Sequence, residues 1–282
     1  MKATHPVWAV LITIAAMFAQ VFLGALPTML LFDESNPFYE PVGVVGITLA
    51  SLGFVYLIRR FLGRQPWRGV GLTRSWRAAP HLLAGVLAGA VAVVAAGALS
   101  VAFGVATWAP DDVVLPQLSA LPLMIAILLL GQAFPEELLW RGHLFDTLSG
   151  RLSPRAVLIV TAVAFGAMHI FSKSGADTLA ERLLYIVHAA GLGFACGAAR
   201  ARTGTVWMAV GVHLGFHIAN RTFPIKISQF SVELVILACT LTVTGLLILL
   251  QRRGGHAAAP DTRAGGLGNP RRPAARGAGS QG

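Results

Sequence analysis

The sequence predicts an all-α fold, a polytopic membrane protein built as a bundle of about eight transmembrane helices. Three observations lead there. Only 12% of the 282 residues are charged and 55% are hydrophobic, about half the charge of a soluble domain; mean hydropathy is +0.69. Apolar segments recur at approximately 7–31, 42–58, 80–104, 119–148, 156–171, 183–199, 204–220 and 231–250, most of them near the roughly 20 residues that span a bilayer. The connections between them alternate in charge, as the loops of a multi-pass protein do.

The first segment is longer than the roughly 7–15 apolar residues of a signal peptide and no small-x-small cleavage site follows, so it reads as a retained span. The connection after it, "FDESNPFYE", is acidic. The one after the second span, "RRFLGRQPWRGVGLTRSWR", carries Arg59, Arg60, Arg64, Arg68, Arg74 and Arg77 and no acid. Asp111 and Asp112 follow the third span, Arg151 and Arg155 the fourth, Arg200 and Arg202 the sixth, Arg252 and Arg253 the eighth. Every second connection is basic, which places both termini in the cytoplasm. The net charge of +10 is then a topology signal, and nucleic acid is excluded as a partner in favour of the lipid bilayer.

The chain divides into N-terminal transmembrane helices (1–110), a second group of helices (111–250) and a Gly-, Pro-, Ala- and Arg-rich tail (251–282) that cannot bury a core and reads as disordered. A composition rich in Ala, Gly and Arg looks bacterial and suggests the cell membrane. Cys196 and Cys239 are far apart in apolar surroundings and read as small buried hydrophobes rather than a disulfide.

The fourth segment, "LPLMIAILLLGQAFPEELLWRGHLFDTL", sets Glu136 and Glu137 in an apolar run with Arg141 one turn on. A charge at the centre of a span costs about 2.5–3.5 kcal/mol on insertion scales. One reading ends the span early and leaves 135–156 as a solvated loop. The other continues the helix to about 148, some 45 Å long at about 1.5 Å per residue, kinked at Pro135. Glu137 and Arg141 are then paired at i,i+4, and Glu136, about 100° round, faces something else. The fifth segment brings His169; the seventh brings His213 and His217 at i,i+4, with Asn220 on the same face. By rise alone these histidines reach a depth comparable to the glutamates, a cluster of the kind that forms an active or ion-binding site. His143 and His188, single histidines in other helices, read as structural. Lys173, Asp177, Glu181 and Arg182 read as a solvated loop.

These residues resemble a known family. "PEELLWRGHLF" resembles the EExxxR motif of the CAAX-protease and bacteriocin-processing (CPBP, or Abi) family, "FGAMH" its FxxxH motif, and "GFACGAARARTGTVWMAVGVHLGFH" the stretch leading into HxxxN. The resemblance covers about 119–220 and implies an intramembrane endopeptidase similar to the type II CAAX prenyl endopeptidases, acting on a peptide or protein substrate. Carried over, Glu136 is the catalytic glutamate, Glu137 and Arg141 support it, and His169 and His213 are catalytic. His217 stands where the family has Asn and keeps an N–H with which to stabilise an oxyanion.

Two mechanisms remain open. In one, Glu136 activates water, His169 positions it, and His213 and His217 donate to the oxyanion. In the other, Glu136, His169, His213 and His217 hold zinc, although no glutamate accompanies the histidine pair as in HExxH, since residue 214 is Leu. The favoured reading needs no cofactor. A non-enzymatic membrane protein, either an ion or metal transporter or a scaffold or immunity factor, is the alternative function; the absence of two related halves with interrupted helices speaks against transport.

Overall fold

A computed structural model describes residues 5–109, 120–172 and 174–251; Asp111, Asp112, Lys173, Arg252, Arg253 and the tail lie outside them. The described chain is an all-α bundle. Its helices are α1 (Pro6–Leu31), α2 (Tyr39–Leu57, extended by a π-helical turn Ile58–Leu62), α3 (Ala78–Ala102), α4 (Leu121–Ser149), α5 (Pro154–Met168), α6 (Leu179–Thr203), α7 (Trp207–Thr222) and α8 (Phe230–Leu250). Each expected apolar segment is a helix. Among the described residues, 7 are long and apolar enough to cross a membrane. α5 reaches that length, 18 residues, with the 3₁₀ turn His169–Phe171 that continues it, and the exception is α7, with 16 residues. It spans only about 24 Å at about 1.5 Å per residue, and most of it is buried inside the bundle.

The chain through Gln251 is one compact unit, so the helices before residue 110 pack with those after it. Glycines make that possible for α3 and α7. A Cβ at Gly85 or Gly89 would run into the carbonyls of Met208 and Val212 of α7; one at Gly211 or Gly215 would run into those of Leu82 and Val86 of α3. The two backbones touch, as small residues allow where no water drives helices together. Nothing in the apolar pattern of either segment announced this pairing.

Two short strands also escaped the sequence reading. Ala106–Trp108 (β1) pairs antiparallel with Ile225–Ile227 (β2), tying the end of α3 to the link between α7 and α8. Three residues are too few to show a period of two.

Two of the arginine-rich stretches, those at the ends of α2 and α6, are not merely a charge signal. Arg60, Arg64, Arg68, Arg74 and Arg77 are exposed, but Arg59 is buried and donates to the Pro66 carbonyl and, at 2.8 Å, to Asp146. Arg200 is buried as well and donates to the carbonyls of Gly204, Gly69 (2.8 Å) and Arg141 (3.0 Å). The pair fastens the connection after α2 against α4 and α6, work for which a forked donor is suited.

Replacing Gly211 by Ala is expected to lower stability by about 1–3 kcal/mol, the range for overpacking a close contact. Gly53→Ala, where a Cβ meets nothing within 4 Å, should be neutral or stabilising. Thermal unfolding in detergent micelles compares them; equal behaviour would contradict the backbone contact.

Candidate active site

The site begins with the shape of α4. Its middle is not a regular α-helix kinked at Pro135, as the sequence suggested: π-helical turns at Leu129–Ala133 and Leu138–Leu144 flank the short α-helical stretch Phe134–Glu137. Proline lacks the N–H that an α-helix needs there, and wider turns accommodate the loss. Backbone carbonyls find partners on α2, where Thr48 donates to Leu130 and Ser51 donates to Pro135 at 3.1 Å. No loop interrupts α4 between Leu121 and Ser149, so Glu136 and Glu137 sit midway along it, and both are buried.

Glu137 is enclosed. Its Oε1 accepts from Arg141 Nη1 at 2.9 Å and from His213 Nδ1 at 2.9 Å. Arg141 also donates through Nη2 to the Gly193 carbonyl at 2.6 Å and lies over the Phe165 ring, 4.6 Å from its centroid. Four helices, α4 to α7, therefore meet at one ion pair. The expected i,i+4 pair is present, but its second partner is His213, which the sequence assigned to the oxyanion.

Proton placement follows from the partners. An ionised carboxylate only accepts, so His213 carries its proton on Nδ1. Its Nε2 lies 3.0 Å from Nε2 of His217, and one of the two must donate. With both rings neutral, His217 donates and presents Nδ1 as an acceptor; a further proton on the pair would reverse the direction. His213 has both nitrogens occupied within the protein, one by Glu137 and one by His217. His169 directs Nδ1 to the Phe165 carbonyl at 2.9 Å, which fixes the proton there and leaves Nε2 as the acceptor of its neutral ring.

Glu136 has a different environment from its neighbour. It borders a cavity of about 360 Å³ whose lining also includes Gln132, His169, Tyr185, His188, His213 and His217, with Met17, Phe18 and Val21 of α1 on one side. Its Oε2 is buried and has no protein partner, as is also the case for Oε2 of Glu137. Asn220 lies exposed at the end of α7 and takes no part.

The cavity adds residues the sequence reading passed over. His188 was placed among structural histidines, and Tyr185 was not singled out. Their i,i+3 spacing in an otherwise apolar stretch of α6 was the available signal. His143 does lie apart, buried near Arg59 and Asp146.

For a metal, the ligand atoms that gather within 4.8 Å of one another among the described residues belong to Glu137, Cys196 and His213. This is not the set Glu136, His169, His213 and His217 considered for zinc. Glu137 already faces the guanidinium of Arg141, which supplies the positive charge a cation would bring, and Cys196 turns its thiol to the Ala209 carbonyl at 3.6 Å.

A polytopic helical membrane protein with a glutamate-histidine cavity at mid-helix is the class that fold and site define. Residues 118–219, which run over α4 to α7, match the family model described as type II CAAX prenyl endopeptidase Rce1-like. No curated protein matches the chain.

Removing the Glu137 carboxylate strands a buried guanidinium, which typically costs about 3–5 kcal/mol. Glu137→Ala should show that loss in unfolding measurements, whereas Glu136→Gln, one position earlier, should keep or gain stability. Equal losses at both positions would contradict the division of roles.

Proposed function

We propose that the protein is an intramembrane endopeptidase in which Glu136 activates the attacking water. The Rce1-like match supports proteolysis in the membrane, and one observation carries the finer reading. Of two adjacent buried glutamates, Glu137 is paired with Arg141 and His213 and is not part of the cavity lining, while Glu136 borders the cavity and has no such ion pair.

The chemistry follows from the proton placement. A water held by the acceptor Nε2 of His169 gives its proton to the Glu136 carboxylate as its oxygen adds to the scissile carbonyl carbon. The tetrahedral intermediate collapses with cleavage of the C–N bond, and Glu136 returns the proton to the departing amine. The same carboxyl serves as base and then acid, so no metal is required. The Glu137–Arg141–His213 group holds the surrounding helices in register, and His217 closes off the second nitrogen of His213.

The α1 side of the cavity defines the substrate class. Phe18 and Val21 line it and are also 48% and 45% exposed, on a helix apolar enough to face lipid. A membrane-anchored peptide, prenylated ones among them, reaches the cavity past this helix. The face bearing the exposed arginines after α2 lies toward the cytoplasm.

Proteoliposomes containing the protein should cleave an internally quenched peptide with a prenylated cysteine faster than the same peptide without lipid. Glu136→Gln should lower kcat/KM by about 10²–10⁴, the usual contribution of a general base. Full activity in that variant would sink the glutamate mechanism. No cleavage of either peptide by wild-type protein would return the reading to a transporter or scaffold.

A further inference from the structure

We infer that His188 is a catalytic residue of this site: the hydrogen-bond donor to the oxyanion. The inference rests on the endopeptidase reading and goes beyond the three sequence motifs, none of which contains His188.

Addition of water to a peptide carbonyl leaves a negative charge on oxygen, and a donor that is already in place and shielded from solvent is worth most there. The histidines of the motifs are poorly placed to supply it. His213 is bonded at both nitrogens, to Glu137 and to His217. His169 spends its Nδ1 proton on the Phe165 carbonyl. His217 spends its Nε2 proton on His213 while the pair is neutral. His188 lines the same cavity, is only 5% exposed, and neither of its nitrogens has a hydrogen-bond partner in the protein. Tyr185, whose carbonyl lies one turn back, interacts with the ring but not in hydrogen-bond geometry.

Native proteins seldom bury an imidazole with both nitrogens unsatisfied. Such a ring always carries at least one N–H, and here, beyond the poorly aligned Tyr185 carbonyl, no protein atom takes it. The ring is held by its neighbours: its centroid lies 5.3 Å from that of Tyr185 and 5.4 Å from that of Phe216, whose own ring packs on His217 at 5.0 Å. It is also within electrostatic reach of His169 and His217. Three other side chains on the cavity can donate, Gln132, Ser172 and Tyr185, but all are half-buried and open to competing water. His188 is the enclosed one.

The test uses full-length protein in proteoliposomes with the quenched prenylated peptide. His188→Ala should lower kcat by about 10²–10³, the range for one oxyanion donor, with KM within about threefold, because the oxyanion exists only beyond the ground state. His188→Gln, which keeps an N–H donor without a ring, should recover activity to within about tenfold of wild type. A packing role would move stability and KM and would show no rescue by Gln. Tyr185→Phe and Gln132→Ala should each cost less than His188→Ala. A His188→Ala enzyme with wild-type kcat, a Gln variant as poor as Ala, or a larger loss at Tyr185 would overturn the assignment. If Glu136→Gln is inactive in the same assay while His188→Ala is not, the donor assignment fails and the endopeptidase reading stands. If wild-type protein cleaves nothing, both fail.

Discussion

A carboxylate in the middle of an apolar helix is unfavourable unless its charge is matched and its lone pairs are satisfied. Glu137 has its charge matched by Arg141 and its Oε1 satisfied by Arg141 and His213, while its Oε2 has no partner in the protein. Much else in the site depends on that solution. Arg141 reaches on to the Gly193 carbonyl of α6 and the Phe165 ring of α5, and His213 belongs to α7. The ion pair therefore ties together the helices of the segment that matches the Rce1-like family model. Its geometry fixes the proton on His213, which in turn sets the direction of the bond to His217.

The neighbouring glutamate is left free by the same arrangement. A rotation of about 100° per residue separates adjacent side chains on a helix, so the enclosure of Glu137 turns Glu136 toward a different space. The π-helical turns on either side of Phe134–Glu137 define that short stretch, and α2 satisfies the carbonyls of Leu130 and Pro135. The Glu136 side chain gains no comparable set of partners. One glutamate is spent on architecture and the other carries the chemistry proposed above, and the difference lies in their surroundings rather than in their type.

Much of this was legible in the sequence. The apolar segments marked every helix, and the i,i+4 spacing of Glu137 and Arg141 foretold their pairing. What the sequence concealed was long-range. The approach of α3 to α7 depends on Gly85, Gly89, Gly211 and Gly215 facing one another, which no single segment reveals. The arginines after α2 and α6 read as a uniform charge signal, yet Arg59 and Arg200 are buried clamps. The oxyanion role expected of His213 did not anticipate that Glu137 and His217 would occupy both of its nitrogens. His188 read as structural because nothing local distinguishes a satisfied histidine from an unsatisfied one; only the folded surroundings show which groups are within reach.

The central claim, that Glu137 is an ionised acceptor organising the histidines while Glu136 stands apart from them, can be read directly from proton positions. Solid-state nuclear magnetic resonance of protein labelled with ¹⁵N in its imidazoles, reconstituted in bilayers, resolves which ring nitrogen carries hydrogen. The account predicts a protonated Nδ1 on His213, hydrogen-bonded to a carboxylate, in wild-type protein and equally in Glu136→Gln. A His213 with a bare Nδ1, or one whose proton shifts when Glu136 alone is changed, would contradict it.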